Sequence, residues 1–99
     1  AIMASDKNLK KEIRNAGDAI DETLDSLSPY IWMYEEPKFG QGEYVGVMAQ
    51  DLQKSPVGRE MVLETPEGLM LNNQKMLSFL MGTVAHQAKK IKELEARLV

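Results

Sequence analysis

Leu9, Ile13, Ala16, Ile20, Leu24 and Leu27 recur at steps of three and four, the spacing that gathers side chains on one face of an α-helix. They predict a first helical region over residues 7–28. Asn15-Ala16-Gly17-Asp18 marks a break in it, because glycine weakens a helix interior and Asp18 suits an N-cap with Asp21 three residues on. Ser28-Pro29 ends the region. The pattern then alternates over residues 30–35, with Tyr30, Trp32 and Tyr34 on one face and Ile31 and Met33 on the other, predicting a strand at least partly buried on both sides. Residues 37–42 read as a turn and 44–48 as the returning strand, with Gly46 allowing close backbone approach. A short helix is expected over 49–54, ended by Ser55-Pro56. Met61-Val62-Leu63 and Leu69-Met70-Leu71 flank Thr65-Pro66-Glu67-Gly68, a second hairpin.

From Asn72, a natural N-cap, the pattern is helical to the end of the chain. Its apolar positions fit a heptad register with Leu77, Val84, Ile91 and Leu98 at a and Leu80, Gln87 and Leu94 at d. This predicts a coiled-coil rod of roughly 40 Å at 1.5 Å per residue. Lys90 at g and Glu95 at e are placed to pair between chains, each exposed pair contributing about 0.2 to 1 kcal/mol. Gln87 interrupts the apolar seam, either as a polar layer that specifies alignment or as a solvated layer near a fraying end. The a and d residues do not themselves choose between dimer and trimer. The order of elements predicts an α+β chain.

With 99 residues, 43% hydrophobic, the chain forms one small unit that buries surface inefficiently alone, a limit oligomerisation relieves. Its net charge of −3 comes from interspersed signs, leaving no basic stripe for a nucleic acid backbone. The chain has no cysteine, which excludes disulfides and thiolate metal sites. No apolar run reaches a membrane span, and no Gly-rich phosphate loop or H-E-x-x-H spacing occurs, so no membrane, metal or cofactor is implied. The single histidine, His86, falls at an outward c position and reads as a solvated surface residue. Trp32 reads as a core or subunit-contact anchor, and the seven methionines as adaptable core filler.

Candidate chemistry lies at the start of the chain, in Ser5-Asp6-Lys7-Asn8-Leu9-Lys10-Lys11. A serine becomes a useful nucleophile when a neighbouring base takes its proton, and a lysine amine serves if burial or nearby cations such as Lys7 and Lys11 bring its pKa toward neutrality. Five residues along one regular helix would place Ser5 and Lys10 about 140° apart. The pair therefore meets only if Ser5 precedes the helix or if the lysine comes from another subunit. The competing reading is that Ser5-Asp6 merely caps a helix.

Ser5-Asp6 to Ile13, then Gly46-Val47-Met48-Ala49-Gln50-Asp51, then a helical tail, resemble the intramolecular chaperone autoprocessing domain. That domain ends phage tailspikes, tail fibres, neck appendages and endosialidases, with a related copy in the myelin regulatory factor family. The resemblance covers residues 5–99, with residues 1–4 as the end of an upstream fibre domain. It implies an intertwined homotrimer with an N-terminal helix, small hairpins and a long coiled-coil helix. It further implies a self-cleaving serine endopeptidase, acting once per chain between Ala4 and Ser5, with Ser5 as nucleophile and Lys10 as general base. The parent fibre would fold in the host cytoplasm during phage assembly and shed the chaperone afterwards. One departure is Asn8, where the family often carries arginine. Two other classes fit the same residues: a trimerisation and registration module without proteolysis, and a regulatory domain of the myelin regulatory factor kind.

Overall fold

A computed structural model describes residues 2–98. Ala1 and Val99, the outer residues of the expected upstream segment and coiled-coil helix, lie outside them.

The helical region expected over 7–28 is divided. A single 3-10 turn spans Lys7–Leu9, and the first α-helix, α1, runs Gly17–Asp25. Between them Glu12 holds a φ of 53°, a left-handed conformation that no regular helix accommodates. Helix α1 starts where the break was expected, although Asp18 is not its cap. Asn15 Oδ1 instead accepts from Gly17 N at 2.8 Å, and Ala16 occupies the N-cap position. Leu9 and Ile13 stay exposed, at 72% and 70%.

Strand β1, Tyr30–Trp32, pairs antiparallel with β2, Tyr44–Gly46, with Trp32 opposite Tyr44 and Tyr30 opposite Gly46. The close approach expected at Gly46 is present: a Cβ there would stand 2.8 Å from the Trp32 ring. Trp32 stacks near Tyr44, with centroids 6.1 Å apart, and meets Tyr34 edge-on at 6.0 Å. Burial on both faces is not realised in the single chain. Ile31 is 68% and Val45 75% exposed, because a two-stranded ribbon has one layer of structure behind it and none in front.

Helix α2, Ala49–Leu52, is followed directly by a helix the periodicity did not announce, α3, Pro56–Arg59. The helix expected over 49–54 already ends at Leu52, and the dipeptide expected to close it opens the second instead. Ser55 Oγ accepts from Gly58 N at 3.0 Å as the N-cap, and Pro56 occupies the first turn, where its missing N–H costs nothing. Strands β3, Val62–Thr65, and β4, Gly68–Leu71, then form the second hairpin, with Val62 opposite Leu71 and Thr65 opposite Gly68. Gly68 takes a φ of 133° at the turn, and Thr65 Oγ1 donates to its carbonyl at 2.8 Å. The fold is thus α+β, closed by the long helix α4, Asn73–Arg97. Asn72 caps α4 as expected, its Oδ1 accepting from Lys75 N at 3.0 Å.

The core lies where α1, α2 and α3 meet, around Ile20, Leu52 and Met61, the buried apolar side chains among the described residues. A chain of hydroxyls stitches it together. Thr23 Oγ1 donates to Ala19 O at 2.8 Å, which leaves Ser55 Oγ to donate to Thr23 at 2.9 Å while accepting from Gly58 N. Every proton is used, so these buried polar groups cost little. Gly58 is required for the approach, since a Cβ there would lie 1.9 Å from Leu52 O.

Candidate functional site

Ser5 precedes the 3-10 turn, and the turn folds the chain back on itself. Asp6, not Ser5, is its cap: Asp6 Oδ1 accepts from Asn8 N at 2.9 Å, and Leu9 N and Lys10 N close onto Asp6 O and Lys7 O. Lys10 then returns to extended backbone at φ −110° and ψ 153°. Turn plus extension replaces the 140° divergence of a regular helix and brings Lys10 Nζ to 3.0 Å from Ser5 Oγ within one chain. Both residues, with Lys7 and Lys11, are open to solvent on the outer side. Their inner side faces α4. A groove of about 630 Å³ runs between Ala4, Ser5 and Lys10 on one wall and Gln74, Leu77 and Ser78 on the other. Sequence periodicity could not find that wall, because it is some seventy residues away in the chain.

The heptad residues form a continuous open stripe on α4. Leu77, Leu80, Val84, Ile91 and Leu94 are each 55% to 61% exposed, Leu98 is 87% exposed, and Gln87 lies exposed among them. Leu77 belongs both to this stripe and to the groove beside Ser5.

His86 is not a solvated residue. Its side chain is 20% exposed, and its Nε2 donates to Asp21 Oδ1 at 2.9 Å. Its ring also lies against Gly17, where a Cβ would stand 3.0 Å from it. Lys90 donates to the other carboxylate oxygen at 2.8 Å, so within the chain its partner is Asp21. The lysine bond first, and the histidine bond second, hold the Asp21 carboxyl below its ordinary value; Asp21 in turn holds the Lys90 amine above its own. This carboxylate fastens α1 to α4. Residue types alone carried no signal for it, since its partners are separated by more than sixty positions.

The family model described as the chaperone of endosialidase, which carries a peptidase designation, matches residues 5–63, beginning on Ser5 itself. The match spans more than half of the chain, and the chain belongs to that family, the intramolecular chaperone domain of phage tail proteins. No curated protein matches it. Helix α4 lies beyond the matched stretch.

Proposed function

We propose that this domain trimerises and folds an upstream phage tail fibre or tailspike, then releases itself by cutting its own chain between Ala4 and Ser5. The observation that carries this reading is the 3.0 Å approach of Lys10 Nζ to Ser5 Oγ, immediately beside the bond to be cut. Ser5 Oγ attacks the Ala4 carbonyl carbon as its proton passes to Lys10 Nζ. The new C–O bond replaces the C–N bond, and Lys10 returns the proton to the leaving Ser5 amine. Water then hydrolyses the ester, restoring the Ser5 hydroxyl and freeing the upstream carboxylate. The reaction occurs once per chain and takes place in the host cytoplasm during assembly. Loss of the chaperone leaves the finished fibre kinetically trapped, because its template is gone.

Trimerisation through the α4 stripe is part of the same reading. The exposed a and d residues supply the seam, and Leu77 links it to the groove, so a neighbouring helix docked on the seam closes the site on that side. This couples cutting to assembly. The test is the intact mass of the domain expressed behind its native upstream segment, beside Ser5→Ala and Lys10→Ala. A fragment beginning at Ser5 is expected from the parent, none from Ser5→Ala, and release slowed about 10²- to 10⁴-fold in Lys10→Ala. Uncut oligomers in all three would leave a registration module without proteolysis.

A further inference from the structure

The residues that hold the scissile bond have so far been Ser5, Lys10 and one wall of α4. A further contact is made by Met3, two positions before Ser5. Ile2 beside it is 101% exposed, whereas Met3 is 40% exposed, and Ser78 Oγ donates to its sulfur at 3.3 Å. Met3 borders both the groove at Ser5 and a second, apolar cavity of about 450 Å³. That cavity takes its apolar lining from Ile20 of α1, Val57 of α3, Met61, and Phe79 of α4, with Glu60 and Lys75 as its charged members. We infer that Met3 is a specificity-determining residue of the self-cleavage proposed above, its side chain anchoring the upstream strand so that the Ala4 carbonyl lies against Ser5.

The physical argument is one of chemistry and assembly. A mainly apolar lining receives an unbranched thioether readily, whereas a carboxylate at the half-exposed position 3 forfeits those contacts and pays part of its desolvation. Holding the residue next to the reacting Ala4 carbonyl restricts the segment to a small set of poses, and misplacement by about 1 Å can cost on the order of 10²-fold in rate. The seat is also conditional. It draws on three helices that are distant in sequence, so it exists only once α1, α3 and α4 have packed, and an unfolded or partly folded domain offers Met3 nothing to hold. The substrate selected is a segment with an apolar residue at position 3 followed by the small Ala4.

The inference rests on self-cleavage at Ser5, and one time course separates the two. The domain behind its native upstream segment is followed by intact mass as the parent, Met3→Leu, Met3→Ala and Met3→Asp. Release within about twofold of the parent is expected for Met3→Leu, and release slowed about tenfold or more for Met3→Asp, with Met3→Ala between. Because residue 3 leaves with the upstream fragment, the released product is the same molecule in every case, and its mass and melting curve check that folding was completed. In the uncut Ser5→Ala background, Met3→Asp is expected to lower the melting temperature. Equal release rates for all four would overturn the role of Met3 while leaving the self-cleavage standing. An uncut parent would overturn both.

Discussion

Gly58 is the residue at which side-chain size matters most. Its backbone N–H meets the Ser55 cap at 3.0 Å while the position of its missing Cβ overlaps the Leu52 carbonyl. The opposing atom is backbone and cannot turn away as a side chain would. Gly58→Ala is therefore expected to destabilise the domain by about 3 kcal/mol or more, read as a lower urea midpoint with an unchanged slope. Ser5 and Lys10 lie at the other extreme, on the surface, where sequence spacing set the pair apart and one 3-10 turn reunites them. The residue types were legible in the sequence. Their meeting within one chain depended on Asp6, whose side chain takes the capping role that Ser5 could have had.

At the scale of elements, the junction of α1 and α4 depends on one carboxylate that serves two donors. The Asp21 carboxyl is held below its ordinary 3.8, so its contribution is complete above 3.8 and is lost as pH falls through the lower folded value. The Lys90 amine is held above 10.5, so its contribution is complete below 10.5 and is lost as pH rises through the raised value. Both groups meet solvent, so the effect is modest and weakens with salt. Asp21→Asn is expected to flatten the loss of stability below pH 3.8 that the parent shows in urea titrations at low salt. An acid limb identical in parent and variant would mean that the bridge does not couple the helices. The hairpins and α4 were legible from alternation, turn residues and the Asn72 cap. Helix α3 was not, because its signal, Ser55-Pro56, also reads as the stop of the helix before it.

For the whole molecule, the limiting fact is a core of very few apolar side chains beneath a long exposed seam. The chain extends 51 × 36 × 25 Å, and α4, about 37 Å at 1.5 Å per residue, accounts for much of the longest dimension. A helix with its apolar stripe open to water gains most by pairing with copies of itself. On the proposed assembly through α4, Val84→Asp, in the middle of the exposed stripe and away from the core, is expected to leave monomers in sedimentation velocity. Self-cleavage is expected to slow with it, because the groove at Leu77 then loses its neighbour. An oligomer unchanged by Val84→Asp would move the subunit interface off α4, toward other open apolar faces such as Ile31 and Val45.

Local signals carried what depends on near neighbours in the chain. Periodicity, turn residues and caps determined the two hairpins and the long helix with its apolar stripe, while residue types singled out Ser5 and Lys10, which the structure brings to 3.0 Å. The tertiary structure alone decided which helix wall faces Ser5, where Met3 is held, and that His86 and Lys90 turn inward to Asp21. Those contacts join residues on elements distant in the chain, and a periodic pattern records which face of an element is apolar without recording what that face will meet.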